Sequence, residues 1–238
     1  MAYRLTMASV HLIDRAVGQI IHKLKNLGIY EESIIVFTSD HGDYLGDHWL
    51  GEKELFHEQS ARVPLIIYDP DPAADATRGI VDDRLVEAID LAPTFLEAVE
   101  AKRPQYLFEG QSLLPLIRGY FEVEWKDTVY SEINWEFYRA RLDLGLAPNE
   151  CKSYMVRTDR WKYVYHKNFR PQLFDLKNDP DEYMDLGEDP EYEDIRSDMK
   201  DRLIRWFMRR RSRITISNDV VEEATDRSRD MGVIIGQW

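Results

Sequence analysis

Five consecutive residues, Thr38-Ser39-Asp40-His41-Gly42, carry the clearest chemical signal in the chain. They follow directly on an apolar run, Ile34-Ile35-Val36-Phe37, and ligands of open α/β sheets gather just past the carboxyl ends of strands. A carboxylate and an imidazole side by side on such a turn can both reach one divalent cation, with Gly42 relieving crowding behind them. That donor pair suits Ca²⁺ in an oxygen-rich site, or Mn²⁺ or Zn²⁺. The plainer alternative is an Asp40 that caps a turn beside a surface His41. Lys53 stands 13 residues beyond Asp40. A loop folded back at Gly46 and Gly51 would bring its ammonium near the metal, where it can hold an oxyanion or a leaving-group oxygen. His48 and His57 lie in the same loop; contact with substrate and a structural or solvated role both fit them. Glu58 and Arg62 are expected to form an ion pair beside the next strand.

These residues need a scaffold, and its elements are readable. Val10, Ile13, Val17, Ile20, Ile21, Leu24 and Leu27 recur at spacings of three and four, one face of a helix, with Gly28 where a C-terminal cap belongs. Ile34–Phe37 and Val63–Tyr68 are continuous β-forming runs, the pattern of strands buried on both faces, which predicts a parallel sheet. The region 82–119 reads as helical, with Asp90-Leu91-Ala92-Pro93-Thr94 as an acidic cap with proline in the first turn. Ser112 to Ile117 forms a short helix ended by Gly119. From about 126, four segments (129–133, 154–157, 161–165 and 172–176) alternate partially and predict an antiparallel sheet with one wet face. Thr158-Asp159-Arg160 is a hairpin connection. A long amphipathic helix runs over 191–211, where Arg209-Arg210-Arg211 complements the helix dipole. The organisation expected is an α/β portion over 1–125 and an α+β portion over 126–211. A tail over 212–238 either frays or docks on a second subunit as an oligomerisation arm.

Composition narrows the partners. The chain has 238 residues, 44% of them apolar, and 31 basic against 44 acidic residues leave a net charge of −13. That balance argues against nucleic acid and against an anionic membrane surface, since both need a basic footprint. Anionic small molecules stay open, because local cations can outweigh a distant global charge. The lone Cys151 excludes an intrachain disulfide or a thiolate metal cluster. No apolar run reaches the ~20 residues of a membrane span. The N-terminal residues lack the order of a signal peptide, so a cytoplasmic location is expected.

Asp40-His41-Gly42, Leu45-Gly46-Asp47-His48, Lys53 and Arg62-Val63-Pro64-Leu65-Ile66 resemble, in that order, the C-terminal half of the sulfatase family of the alkaline phosphatase superfamily. Asp90–Thr94, Gly110–Leu116, Arg157–Tyr163, Leu173–Leu176 and Asn178-Asp179-Pro180 extend the likeness along nearly the whole chain. It is closest to the phosphonate monoester hydrolase and choline-sulfatase-like branch. The resemblance implies an α/β fold: part of an alkaline-phosphatase-like mixed or parallel sheet with flanking helices, plus a small C-terminal antiparallel sheet with a packed helix. It implies a metal-dependent hydrolase of sulfate esters acting on a small anionic ester, or else a phosphonate monoester or phosphodiester hydrolase. A non-catalytic metal-binding α/β module is the alternative of another class. By the same resemblance Asp40 and His41 match the second pair of metal ligands, and Lys53 matches the lysine on the sulfate or phosphate oxygens. The family's nucleophile, a formylglycine matured from C/S-x-P-x-R, has no counterpart here, because Cys151-Lys152-Ser153 does not fit that pattern. The first aspartate pair is also missing. The chain is therefore expected to represent the C-terminal part of such an enzyme and to be inactive alone.

Overall fold

A computed structural model describes residues 2–53, 55–102, 106–210 and 215–225. The chain divides into two compact units, Met1–Leu85 with Pro115–Leu203, and Val86–Leu114 with Ile204–Trp238.

The first unit begins with helix α1 (Ala2–Asn26), which closes as its spacing predicts, with Gly28 left-handed at φ 72. Its apolar stripe lies open: Val10, Ile13, Ile20 and Leu27 are all exposed. Strand β1 (Ile35–Thr38), the short helix α2 (Glu58–Ala61) and strand β2 (Leu65–Tyr68) follow. β1 and β2 pair antiparallel, Ile35 opposite Tyr68 and Thr38 opposite Leu65. The parallel pairing read from their apolar runs is thus corrected. A continuous apolar run reports burial on two faces, and strand direction comes from the connection, here carried through the 39–64 loop and α2.

In the second unit Asp90 sits at the start of α3 (Leu91–Ala98), fully buried. Its carboxylate accepts the N–H of Glu87 and the N–H of Gln111, each at 2.8 Å. It therefore staples a loop as well as opening a helix. Gly110 is required there, since a Cβ would lie 2.1 Å from the Ile89 carbonyl oxygen. The region 82–119 is less helical than expected: α3, α4 (Leu114–Ile117) and short 3₁₀ turns are joined by loops.

Strands β3 (Val129–Asn134), β4 (Lys152–Arg157), β5 (Trp161–His166) and β6 (Gln172–Asp175) form the expected antiparallel sheet, in that order, with α5 (Arg139–Asp143) between the first two. Thr158 closes the β4–β5 hairpin, its Oγ1 accepting the Trp161 N–H at 2.9 Å. The sheet does not keep one wet face. Met155 and Val156 are both buried, as are Lys162, Tyr163 and Val164, and Leu173 and Phe174. One reason is visible in the sequence order: Phe56, from the loop before α2, clusters with Met155 and Val164. The loop between β1 and β2 thereby covers one face of this sheet.

Asp189 accepts the Glu191 N–H and opens a turn leading into α6 (Glu193–Arg209), which buries Met199 and Leu203. A further helix, α7 (Asn218–Ala224), is capped by Ser217. No described helix is long and apolar enough to cross a membrane. Arg211 and most of the 212–238 tail, residues 212–214 and 226–238, lie outside the described residues.

Candidate active site at the end of the first strand

The turn after β1 is built by short-range hydrogen bonds. Asp40 Oδ1 accepts the His41 N–H at 3.0 Å, and the Ser39 hydroxyl donates to the His41 carbonyl at 2.7 Å. Gly42 then passes against α2, its N–H donating to the Ser60 carbonyl at 2.8 Å. A Cβ at Gly42 would sit 1.9 Å from the Gln59 carbonyl oxygen, so only glycine allows this approach. Ser60 also donates its hydroxyl to the Lys53 carbonyl at 2.6 Å. One buried serine of α2 therefore ties both the Asp40–Gly42 turn and the Lys53 backbone.

The result brings Asp40, His41 and Lys53 together. His41 Nε2 lies 3.5 Å from Asp40 Oδ2 and 2.9 Å from Lys53 Nζ. His41 Nδ1 lies 2.8 Å from the Gly42 carbonyl. A carbonyl can only accept, so Nδ1 carries the proton and Nε2 keeps its lone pair. A backbone carbonyl fixing the tautomer in this way is how ligating histidines are oriented. Burial, the largest single influence, favours protonation of Asp40, but His41, the backbone N–H groups of residues 40 and 41, and Lys53 together outweigh it. The Asp40 carboxyl consequently lies below its usual value. Asp40 Oδ2 and His41 Nε2, 3.5 Å apart, are donor atoms of the kinds that ligate divalent cations, with Nε2 here accepting from the Lys53 ammonium at 2.9 Å. Among the described residues no group of three or more His, Cys, Asp or Glu converges on one point. Lys53 is the sole Lys or Arg between Lys25 and Arg62 in the sequence, and its ammonium sits 2.9 Å from His41 Nε2.

His48 and His57 are placed differently. Their rings stack on each other with centroids 4.0 Å apart, and His48 stacks also on Tyr183 at 4.8 Å. His57 shares a 2.8 Å hydrogen bond between Nδ1 and the hydroxyl of the fully buried Tyr44, and meets Phe174 edge-on at 5.7 Å. Burial first, then the nearby His48 and Lys162 charges, push the His57 pKa down to about 4. These two half-buried imidazoles form a stack that meets the four-stranded sheet at Phe174.

The Glu58–Arg62 pair expected from sequence is replaced by another. Glu58 binds Arg157 (3.1 Å) and Lys162 (2.7 Å). Lys162 is completely buried; its Nζ also donates to the Phe56 carbonyl at 2.8 Å and lies 2.7 Å from Glu182 Oε1. That last contact is one of charge, since no aligned hydrogen bond reaches Glu182 Oε1. The other Glu182 oxygen accepts the Glu58 N–H at 2.6 Å. Burial would raise the Glu58 carboxyl, but Lys162 and Arg157 prevail and lower it. For Glu182, burial prevails over Lys162 and the carboxyl is raised. Sequence reasoning missed this network because its members are separated by up to 124 residues. Nothing local marks Lys162 as buried. Cys151 is buried and unpaired, in keeping with a packing role.

Comparison with known proteins agrees with this architecture. The family model described as N-sulphoglucosamine sulphohydrolase, C-terminal, matches residues 46–209. The multifunctional alkaline phosphatase superfamily protein PehA of Trinickia caryophylli is 32% identical over 197 residues, covering 82% of this chain and 38% of its own length. A choline-sulfatase of Rhizobium meliloti is 36% identical over 189 residues, 79% of this chain and 33% of its own. The phosphonate monoester hydrolase of Agrobacterium radiobacter superposes with a TM-score of 0.75 at 30% identity, over 82% of this chain and 39% of that one. The chain thus spans between a third and two fifths of the length of these relatives.

Proposed function

The chain belongs to the sulfatase family of the alkaline phosphatase superfamily, and on that premise we propose that it serves in the hydrolysis of small anionic esters, foremost sulfate esters. The observation that carries the reading is the convergence of Asp40, His41 and Lys53 at the end of β1. Asp40 and His41 would hold a divalent cation, which supplies Lewis-acid stabilisation of a developing oxyanion. Lys53 binds an oxygen of the transferring group, whose loose transition state spreads charge over its peripheral oxygens. Ser60 keeps Lys53 and the turn in one frame. The His41 tautomer, fixed by Gly42, presents Nε2 without a proton and so avoids an extra step at that atom. The nucleophile is supplied by residues outside this sequence, which contains no C/S-x-P-x-R segment. Residues 1–238 alone are accordingly expected to turn over no ester.

Phosphonate and phosphate esters form the second reading, favoured by the superposition on a phosphonate monoester hydrolase. In the intact protein that carries this chain, 4-nitrophenyl sulfate and bis(4-nitrophenyl) phosphate separate the two. Lys53→Ala is expected to lower kcat/KM for the preferred ester by about 10²–10³-fold, the usual loss for one oxyanion contact. An unchanged kcat/KM would overturn the role of Lys53.

A further inference from the structure

Lys162 and Glu182 belong to a buried charge network to which the hydrolytic chemistry assigns no task. Both side chains are wholly shielded from solvent, one on β5 and one in the turn that follows β6. Glu182 holds a left-handed backbone at φ 60, which is uncommon for a residue bearing a Cβ. Its turn is tied from both sides. The Glu182 N–H donates to the Asp179 carbonyl at 3.1 Å, and the Met184 N–H to the Asp179 carboxylate at 2.7 Å. What Lys162 and Glu182 grip is backbone. Lys162 Nζ donates to the Phe56 carbonyl at 2.8 Å, and Glu182 accepts the Glu58 N–H at 2.6 Å. The peptide groups on either side of His57 are thus held by charge-assisted hydrogen bonds shielded from water. Two residues further on, Ser60 reaches both parts of the candidate site, through the Gly42 N–H and the Lys53 carbonyl. A network serving stability alone could tie any part of this loop. This one closes on the four-residue helix whose Ser60 fixes the Lys53 backbone.

We propose that Glu182, backed by Lys162, is a positioning residue for Lys53: by holding the first turn of α2 from the far side of the sheet, it sets where the Lys53 ammonium stands against His41. The proposal rests on the reading of Asp40, His41 and Lys53 as the site. The path is short at every step. Glu182 fixes Glu58, one helical turn carries that placement to Ser60, and Ser60 holds the Lys53 carbonyl at 2.6 Å. The Lys53 side chain then meets His41 Nε2 at 2.9 Å. Small displacements of a charge-bearing group degrade transfer chemistry steeply, which is why such groups are braced by outer contacts.

The test follows the His41 Nε2 resonance by ring-nitrogen NMR of histidine-labelled residues 1–238, with urea denaturation of each variant alongside. Lys53→Ala removes the ammonium and is expected to shift the resonance. Glu182→Ala is expected to shift it in the same direction, and to add little when combined with Lys53→Ala. Glu182→Gln keeps an acceptor for the Glu58 N–H and is expected to restore most of the wild-type position. If Glu182→Ala lowers stability yet leaves the His41 resonance in place, Glu182 is structural only; the proposal is overturned and Lys53 stands. If Lys53→Ala itself leaves the resonance in place, the site reading fails and the proposal falls with it. Should Glu182→Ala not fold, Glu182→Asp, one methylene shorter and so withdrawn from the Glu58 N–H, takes its place with the same outcomes.

Discussion

Replacing Lys162 with methionine tests how the loop bearing the candidate site is held. Methionine fills much of the lysine stem, so the cavity left is small. The charge balance changes far more. Glu58 keeps Arg157 at 3.1 Å, but Glu182 loses the ammonium 2.7 Å from its Oε1 and retains the Glu58 N–H on its other oxygen. Removing one partner of a buried ion pair costs about 3–5 kcal/mol, a large share of a typical total of ~5–15 kcal/mol. The Glu182 carboxyl, already raised by burial, would rise further and take up a proton, which caps the loss. Urea denaturation followed by far-UV circular dichroism measures it. A second variant, Lys162→Met with Glu182→Gln, should recover about 2 kcal/mol, because the amide is neutral and still accepts the Glu58 N–H. A Lys162→Met variant within ~1 kcal/mol of the wild type, or a double variant no more stable than the single one, would contradict this role of Lys162.

Two further outcomes follow from the same loop. His57 has its pKa lowered from 6.5 to about 4, with burial as the main cause. Between those values the unfolded chain binds a proton that the folded ring refuses, so stability falls as pH drops from 6.5 toward 4. The full difference is ~3 kcal/mol, cut to roughly 1–2 kcal/mol because the ring is partly exposed and screened. Urea titrations across that range should show a shallower pH slope for His57→Gln than for the wild type; equal slopes would contradict the assignment. Gly42→Ala drives a Cβ into the Gln59 carbonyl, an overpacking that costs about 1–3 kcal/mol. At ~2–4 °C per kcal/mol for a chain of this size, calorimetry should show Tm lowered by roughly 2–12 °C. An unchanged Tm would mean the turn and α2 are not in contact.

Much of this was legible in the residues. The heptad-like spacing of Val10 to Leu27 marked α1, and the β4–β5 hairpin was visible in the aromatic strands flanking Thr158-Asp159-Arg160. Asp40 and His41 stood out because a polar turn after an apolar strand is where α/β folds place ligands. What sequence could not reveal is long-range. The direction of β1 against β2 depends on a 26-residue connection. Glu58 faces two possible partners of equal local merit, Arg62 nearby and Arg157 99 positions away, and the fold selects the distant one together with Lys162. His48 and His57 look like substrate contacts on a list of residue types. The packing of Tyr44, Phe174 and Tyr183 against these half-buried rings joins three separate segments, which residue types alone do not reveal.

Asp40 and His41 are proposed to form half of a cation site, with Lys53 beside it. Paramagnetic line broadening by Mn²⁺ in amide-resolved NMR of the chain tests it most directly. Substoichiometric Mn²⁺ is predicted to broaden Asp40, His41 and Gly42 first, and Asp40→Asn to abolish that selectivity. Broadening spread evenly over the acidic surface, or unaffected by Asp40→Asn, would contradict it.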